Sequence, residues 1–210
     1  MVIPLRIKVI ASFIEEKSKI ADIGCDHALL DIYLAKTKNS TKIIASDINI
    51  SAMKRGLENI KKSKLEHKIM LKHGNGLDVI KNEGIDSIII SGLGGNNIIN
   101  ILKKANNNLK GIKQIVLQPN KKIYEVRKAL TSLGYFINDE KLVEEKGIIY
   151  VIMSFKKGRA RYNYKELYFG PLLMKNPTSL FIKYIHIECD RLINIYKEIP
   201  KRYFIRKILI

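Results

Sequence analysis

The sequence contains few of the residues that build disulfides or metal sites. Cys25 and Cys189 are its only two cysteines in 210 residues, too few for a disulfide framework and not at the paired spacing of a zinc site. The four histidines do not form ligand pairs at helical spacing either. We therefore expect neither a disulfide-stabilised fold nor a bound metal ion.

Long apolar runs are also missing, and the first residues, Met-Val-Ile-Pro-Leu-Arg, lack the basic and apolar regions of a secretory signal peptide. No basic amphipathic helix with a clean apolar face dominates the chain, which argues against a membrane-surface protein. With only five prolines and 46% hydrophobic residues, the composition is typical of a globular protein. These features predict a cytoplasmic protein with no membrane partner, and nothing in them implies a stable protein partner.

Acidic residues are scarce relative to basic ones. The chain has 20 aspartates and glutamates against 38 lysines and arginines, which gives a formal net charge of +18. Such a basic surface favours a polyanionic partner, most commonly RNA or DNA. The charge also has a compositional explanation, because 30 of the 38 basic residues are lysines, as in proteins encoded by AT-rich genes.

Apolar runs and turn residues predict alternating strands and helices. Strands are predicted at 20–23, 42–46, 68–72, 86–91 and 114–118, and helices at 5–16, 27–35, 51–62, 96–104 and 121–133. A β-hairpin follows, with strands at 135–144 and 148–155. This order predicts an α/β fold, a Rossmann-like doubly wound sheet with a reversed last strand. In such sheets, ligands bind beyond the carboxyl ends of the strands.

The loops after the first two strands predict an adenosine site. Residues 21–28 read Ala-Asp-Ile-Gly-Cys-Asp-His-Ala, and residues 45–49 read Ala-Ser-Asp-Ile-Asn. Folds of this class hold the adenosine ribose with a glycine turn and an acid about 20 residues later. Gly24 and Asp47 are 23 residues apart. The glycine permits close approach of the ligand, and the Asp47 carboxylate would accept hydrogen bonds from both ribose hydroxyls.

The residues after Gly24 favour one adenosine ligand over another. Dinucleotide folds use Gly-x-Gly-x-x-Gly to bind two phosphates, but Asp26 stands where the second glycine would be, and its carboxylate would repel a pyrophosphate. S-adenosylmethionine (SAM) contains an adenosine, a sulfonium and an ammonium group but no phosphate. We therefore predict SAM as the cofactor. The alternatives are a nicotinamide dinucleotide, and a plain strand-to-helix turn in which Asp26 caps the helix.

A basic stretch at 156–163 marks a predicted domain boundary. We expect a cofactor-binding domain over 1–157 and a basic helical domain over 158–210, whose 53 residues carry 11 basic and 4 acidic side chains. The main helix of this second domain is predicted to begin at Asn176-Pro177. Its expected apolar seam consists of Phe181, Ile185, Cys189, Leu192, Tyr196 and Ile199. The domain would bind RNA phosphates, or it would merely cover apolar surface.

These segments together resemble the bacterial tRNA (adenine-N1)-methyltransferases that modify adenosine 22, often called TrmK. The similarity covers nearly the whole chain, and the matching stretches are 21–27, 45–49, 74–77, 91–95, 117–120, 127–134, 140–144 and 149–150. The Gly-Leu-Gly-Gly loop at 92–95 is informative, because most adenine methyltransferases have an (Asp/Asn)-Pro-Pro-(Tyr/Phe) loop there. Two positions depart from the family's usual pattern, since Asn75 stands for an aspartate and Leu93 for a methionine.

The resemblance implies a class I SAM-dependent methyltransferase domain over 1–157, a coiled-coil-like helical domain over 158–210, and tRNA as the substrate. The expected cofactor-binding residues are Gly24, Cys25, Asp26, Asp47, Ile48, Asn75, Gly76, Leu77, Gly92 and Leu93. The expected contacts to the target base are Gly94, Gly95, Gln118, Pro119 and Asn120. Asp26 and His27 are the candidate catalytic residues: Asp26 would hold the SAM ammonium or face the adenine, and His27 would position either group.

Other functions stay open at this level. The chain could be a SAM-dependent methyltransferase acting on another RNA, on DNA or on a small molecule, because only the resemblance names tRNA. A catalytically silent RNA-binding protein is a second alternative, against which the presence of Asp26 and Asp47 weighs. A nicotinamide-dependent oxidoreductase is the third, and stabilisation by NAD but not by SAM would favour it.

Overall fold

The computed structural model describes residues 3–105 and 109–199. Its strands are β1 (Lys19–Ile23), β2 (Lys42–Asp47), β3 (Ile69–His73), β4 (Ser87–Leu93), β5 (Gln114–Pro119), β6 (Tyr135–Glu145) and β7 (Ile148–Lys157). Its α-helices are α1 (Leu5–Phe13), α2 (Leu29–Thr37), α3 (Ile50–Lys62), α4 (Gly95–Ala105), α5 (Ile123–Ser132), α6 (Tyr164–Phe169), α7 (Pro171–Lys175) and α8 (Ser179–Glu198). A 3-10 helix that the sequence patterns did not predict spans Gly76–Ile80.

A seven-stranded sheet with the order β3-β2-β1-β4-β5-β7-β6 organises the fold. Strands β1 to β5 pair in parallel, whereas β7 runs antiparallel to both β5 and β6. The turn between β6 and β7 has φ values of 50° at Lys146 and 77° at Gly147, as a two-residue type I′ hairpin requires. The predicted doubly wound sheet with a reversed last strand is confirmed.

The central strand β4 shows why the sheet is buried on both faces. Ile88, Ile89 and Ile90 are each 0% exposed. Ile88 and Ile90 belong to a core cluster that includes residues of α4 and α5, whereas Ile89 belongs to the cluster of α1 and α2. Side chains of a strand alternate between the two faces of a sheet, so the continuous apolar run is needed to fill both layers.

The start of α2 differs from the prediction. The helix begins at Leu29 rather than at His27, because Asp26 and Ala28 have φ values of 43° and 55°, outside the right-handed helical region. The chain therefore follows an irregular path through residues 24–28 before the helix begins. Ala28 at the N-cap provides no side-chain hydrogen bond, and Asp26 does not cap the helix as the alternative interpretation of this turn supposed.

The buried face of α3 was also predicted incorrectly. The apolar spacing within residues 51–62 predicts Met53, Leu57 and Ile60 as its core residues. Of these, Ile60 is buried, but Leu57 is 40% exposed. The helix instead buries Gly56, where an added Cβ would lie 3.3 Å from the Asp26 carbonyl oxygen. The absence of a side chain at Gly56 lets α3 pack closely against the loop after β1, which rotates Leu57 toward solvent.

A buried ion pair attaches the C-terminal helices to the sheet. The side chains of Arg127 on α5 and Glu140 on β6 are 0% exposed, and Nε lies 2.7 Å from Oε1. Arg127 Nη1 also donates to the carbonyls of Leu167 (3.0 Å) and Tyr168 (2.9 Å), at the end of α6. Glu140 Oε2 accepts from the Leu172 N–H of α7 at 3.2 Å. The ion pair between α5 and β6 therefore also holds the end of α6 and the start of α7 in place.

The helix α8 meets the core at its N-terminal end only. Phe181 and Tyr184 are buried in the same cluster as the sheet. Farther along the expected seam, Cys189 is partly exposed and Tyr196 is 46% exposed. Tyr184 was not in the predicted seam, and residues 200–210 of the predicted C-terminal domain lie outside the described residues.

The predicted N-terminus of this helix was wrong. α8 begins at Ser179, and the Thr178 hydroxyl caps it by accepting a hydrogen bond from the Phe181 N–H at 3.2 Å. Asn176, the expected cap, instead ends α7. No helix within residues 3–105 and 109–199 is long and apolar enough to cross a membrane.

Candidate active site

A cavity of about 530 Å³ opens at the carboxyl ends of β1, β2 and β4. Its lining comes from four predicted loops, at 22–27, 46–48, 74–76 and 91–93, and from residues of α1, the start of α2 and α4. Nine of the ten predicted cofactor-binding residues line it. The tenth, Leu77, is buried in the core instead. Loops that are distant in the sequence meet here because parallel strands place their carboxyl ends at one edge of the sheet.

The Asp47 carboxylate lies at the tip of β2 and orders the loops around it. Its Oδ2 accepts from the Asp26 N–H at 3.2 Å, and its Oδ1 accepts from the Asn49 N–H at 2.8 Å. A carboxylate has about four acceptor positions, so each oxygen retains capacity for one more donor. The Asp47 side chain is thus held in place by two backbone groups and still able to bind two hydroxyls.

Gly24 forms the tight turn at the end of β1. Its φ is 84°, which L side chains rarely adopt, and its N–H donates to the Ser46 carbonyl at 2.7 Å. The next residue, Cys25, donates to the same carbonyl at 3.0 Å. Cys25 is buried, and burial raises the pKa of its thiol, which therefore stays protonated. Cys25 is suited to packing under the loop and not to nucleophilic chemistry.

Asp26 and His27 lie at the mouth of the cavity. The Asp26 carboxylate accepts from Arg55 Nη2 on α3 at 2.7 Å, and His27 Nε2 lies 3.3 Å from its other oxygen. All three side chains are about half exposed. The Asp26 charge therefore already has a cationic partner at the rim of the cavity.

A second carboxylate, Asp22, lies deeper in the cavity and was missed as a site residue. Asp22 is 3% exposed, lines the cavity, and its Oδ1 has no hydrogen-bond partner among the described residues. Burial, and then the charge of Asp47, raise the pKa of Asp22 to about 7. The neighbouring Asp31 is also buried. Burial, and then the charge of Asp22, raise its pKa. A buried carboxyl that lines a cavity is suited to a cationic ligand group.

Arg6, on α1, supplies the opposite charge. It is the only lysine or arginine among the described residues that line the cavity. Its Nη1 donates to Gln118 Oε1 at 2.9 Å, and its guanidinium lies 4.6 Å from the centroid of the Tyr150 ring. The backbone N–H of Arg6 donates to Glu145 Oε1 at 2.7 Å. These contacts fix the guanidinium while leaving several of its five donors available.

One end of the cavity is formed by the loops after β2 and β3. Ile48 is 63% exposed, and its carbonyl lies 3.0 Å from His73 Nε2. The Gly74 N–H donates to the Asp47 carbonyl at 3.2 Å. These bonds join the two loops, so that Ile48 offers an apolar surface and Asn75 offers an amide at the same end of the cavity.

The loop after β4 is braced by the loop after β5. Gln118 Oε1 accepts from the Gly92 N–H at 3.1 Å, and Gln118 Nε2 donates to Asn120 Oδ1 at 3.0 Å. Asn120 Nδ2 donates in turn to the Gly92 carbonyl at 2.7 Å. Gln118 and Pro119 are buried, so their structural position is behind the Gly92 loop.

The two remaining predicted base contacts differ in their surroundings. A Cβ added to Gly94 would meet nothing within 4 Å, whereas one added to Gly95 would lie 2.5 Å from the Lys121 carbonyl. Gly95 is therefore required for packing between α4 and the loop before α5. Gly94 leaves open space, and of the five predicted base contacts Gly94 and Asn120 are the ones not buried.

No group of three or more histidine, cysteine, aspartate or glutamate residues that could hold a metal ion is present in the described part of the chain.

Comparisons with known proteins identify related sequences. The model of the family "tRNA (adenine(22)-N(1))-methyltransferase" (TrmK) matches residues 20–208. A curated protein of Bacillus subtilis, named tRNA (adenine(22)-N(1))-methyltransferase, is 30% identical over 202 residues, which cover 93% of this chain and 85% of that protein.

Solved structures match over nearly the whole chain. TrmK of M. capricolum, in complex with S-adenosylhomocysteine, has 30% sequence identity and a TM-score of 0.87, with 99% of this chain and 92% of that chain covered. A protein of the NADB-Rossmann superfamily from Streptococcus agalactiae has 30% identity and a TM-score of 0.93, with 100% of this chain and 92% of that chain covered.

Proposed function

The chain belongs to the tRNA (adenine(22)-N(1))-methyltransferase family, and we propose that it transfers the methyl group of SAM to N1 of adenine 22 in tRNA. The observation that carries this proposal is the charge pattern of the cavity. Asp47, Asp22 and Arg6 line this one cavity, where they would bind a ribose, an ammonium and a carboxylate respectively. SAM combines these three groups in one molecule.

The cavity suits SAM in size and chemistry. Its volume of about 530 Å³ lies within the roughly 300–1,000 Å³ typical of small-ligand sites. At the adenosine end, Asp47 would bind the ribose hydroxyls, while Ile48 and Asn75 would contact the adenine ring and its edge. At the methionine end, the Asp22 carboxylate would accept from the ammonium and Arg6 would pair with the SAM carboxylate. Gly92 and Leu93 would lie alongside the methionine chain.

The same cavity is unsuited to a dinucleotide. A pyrophosphate site needs bare backbone N–H groups at a helix N-terminus. Here the chain before α2 places the Asp26 carboxylate at the rim, and the Asp47 side chain already takes the Asp26 N–H. The backbone N–H that a diphosphate would need in this loop is therefore already occupied.

The proposed reaction needs little acid–base catalysis. Bound SAM supplies an electrophilic methyl group on a positively charged sulfur. Adenine N1 carries a neutral lone pair, so no proton has to leave before the new bond forms. The protein therefore has to orient the two reactants and to stabilise positive charge as it moves onto the adenine.

We assign Asp26 and His27 to contacts with the target adenine of the tRNA. Both lie at the cavity mouth, and the Asp26 carboxylate is aligned by Arg55. A negative charge there would favour the adenine as it becomes cationic, and His27 would position the base. The target base must leave its stack to reach this site. Gly94 leaves room for its ring, and Asn120 holds the Gly92 loop against which it would lie.

We further propose that residues 158–210 bind the phosphates of the RNA backbone. The described part of this segment exposes Arg159 and Arg161 next to the turn between α5 and β6. Phosphate contacts by such residues confer affinity without base specificity. With tRNA as its substrate, the enzyme would act in the cytoplasm.

Methyl transfer to unmodified tRNA tests the proposed function. We expect label from methyl-labelled SAM to enter tRNA, but not ribosomal RNA or DNA, and to map to N1 of adenine 22. A tRNA with guanine at position 22 is the matched control and should remain unlabelled. Label at another base of tRNA would contradict the assignment to adenine 22, and label in a small molecule only would contradict tRNA as the substrate. Thermal stabilisation by NAD but not by SAM would contradict the cofactor assignment.

A further inference from the structure

A second cavity, of about 560 Å³, lies between α5 and the C-terminal helices α6 and α8. We call it the tyrosine cleft, because four tyrosines line it. Tyr184 is buried, whereas Tyr124, Tyr164 and Tyr168 lie near one another at the cleft. Their ring centroids are 5.2 to 6.3 Å apart, with interplanar angles of 32° to 51°. Tyr164 is 61% exposed. Three large aromatic faces thus border one open cavity at the surface.

The rim of the tyrosine cleft is basic. Lys121, Lys122 and Arg191 line it, together with two acidic residues, Glu125 and Glu188. Each acid already pairs with a neighbouring base, Glu125 with Lys122 at 3.1 Å and Glu188 with Arg191 at 2.7 Å. Lys121 has no side-chain partner among the described residues, so positive charge is left over for an anionic ligand.

The tyrosine cleft adjoins the proposed active site through Asn120. Asn120 lines the cleft, and its Nδ2 bonds the Gly92 carbonyl of the SAM cavity at 2.7 Å. Gly95 contacts the carbonyl of Lys121 at 3.1 Å, so both ends of the 92–95 loop lie against the wall of the cleft. The cleft and the 92–95 loop are therefore joined by Asn120 and Lys121.

We propose that the tyrosine cleft binds the unstacked base of a nucleotide adjacent to the target adenine. The proposal rests on the proposed function, because it takes RNA as the substrate. Extracting the target base costs the stacking with its neighbours. Aromatic side chains stack on every kind of base, whereas lysine and arginine contact the phosphates between them. Stacking on Tyr164 would therefore replace the interaction that the neighbouring base loses.

Substitution of Tyr164 tests the assignment, because this ring is mostly exposed and its loss should leave the fold intact. We expect Tyr164→Ala to raise the KM for tRNA about tenfold, as the loss of one stacked base predicts. The affinity for SAM should stay within about twofold of wild type, since Tyr164 does not line the SAM cavity. Tyr164→Phe is the matched control, and it should retain the wild-type KM because phenylalanine also stacks.

RNA variants identify the group that occupies the cleft. Two synthetic tRNAs would each lack one base, on the 5′ or the 3′ side of the target adenine. We expect one of them to weaken binding to the wild type as much as Tyr164→Ala does, and to make the variant and the wild type indistinguishable. The salt dependence of tRNA binding should be unchanged in Tyr164→Ala but reduced in Lys121→Ala, because only lysine contacts phosphate.

Two results would overturn the cleft assignment while leaving the proposed function intact. One is a wild-type enzyme that methylates tRNA and a Tyr164→Ala variant with the same KM. The other is an effect of Tyr164→Ala that is equally large on both abasic tRNAs and on intact tRNA. By contrast, a wild type that fails to methylate tRNA in the same assay would remove the proposed function and the cleft assignment together.

Discussion

Replacing Asp22 by asparagine should separate the two candidate ligands of the SAM ammonium. Asp22→Asn preserves the shape of a side chain that is 3% exposed but removes its charge. A hydrogen bond to a charged group is worth about 1.5–3 kcal/mol, so we expect SAM to bind roughly 10- to 150-fold more weakly at pH 7. Asp26, the residue that the sequence favours, is paired with Arg55 at the rim and should matter less for SAM affinity.

The pH dependence gives a second and independent measure. Raising a carboxyl pKa from 3.8 to about 7 corresponds to about 4 kcal/mol in favour of the protonated form. Below pH 7 the ligand-free protein keeps Asp22 protonated, and binding an ammonium must expel that proton. Wild-type affinity for SAM should therefore fall about 15-fold between pH 7 and pH 5.5. The Asp22→Asn variant has no proton to lose and should show no such fall.

The same pKa has a consequence for stability. Because the pKa of Asp22 is higher in the folded state than in the unfolded chain, its contribution is fully present below about pH 4 and is lost as the pH rises through about 7. In urea unfolding of the ligand-free wild type, the free energy of unfolding should therefore fall as the pH rises from about 4 to about 7. Asp22→Asn should lack this part of the pH dependence.

Isothermal titration with SAM at several pH values is the assay, and Asp31→Asn is the matched control. Asp31 is buried beside Asp22 but does not line the cavity, so its substitution should leave SAM affinity at pH 7 near the wild-type value. The reasoning would be refuted if Asp22→Asn bound SAM as tightly as wild type and kept the wild-type pH dependence. A circular dichroism spectrum matching wild type would show that each variant is folded.

Substitutions at three further positions test other parts of the structure. Asp47→Ala should abolish measurable SAM binding in calorimetry, while Asp47→Asn, which keeps one acceptor oxygen, should retain weak binding; affinity within a few-fold of wild type in the alanine variant would disprove the ribose assignment. Asp26→Ala should lower kcat for methyl transfer at least tenfold but change the free energy of unfolding by less than about 1 kcal/mol, because its ion pair is half exposed; a fully active variant would remove Asp26 from the catalytic residues. Gly170→Ala should destabilise the protein by about 2–4 kcal/mol in urea unfolding, because its φ is 100° and the new Cβ would lie 2.7 Å from Glu140 and 2.8 Å from Arg127; a loss below about 1 kcal/mol would show that the buried ion pair can shift to make room.

Much of the cavity was predictable because its signals are local. A strand and the turn that ends it are encoded within ten residues, as in the apolar run before Gly24. Once the strands are known to be parallel, their carboxyl ends must share one edge of the sheet. The position of Asp47 at the tip of β2 follows from these two facts alone, and so does its proximity to the 92–95 loop.

The helix faces were less predictable, because small residues decide them. The period of apolar residues favoured Met53, Leu57 and Ile60 as the buried face of α3. Because Gly56 closely approaches the loop after β1, α3 packs with a different face from the one that the apolar pattern predicts. A glycine contributes nothing to an apolar pattern, although it can determine which face packs.

The sequence by itself thus determined the α/β order, the reversed hairpin and the carboxylate for the sugar, since each arises from residues close together in the chain. Only the tertiary structure decided which charges face the ligand. Arg6 meets Gln118 across 112 positions, and Asp22 became a candidate because folding buried it with one oxygen unpartnered. Burial and long-range contact are properties of the packed molecule, and a pattern of neighbouring residues carries no record of them.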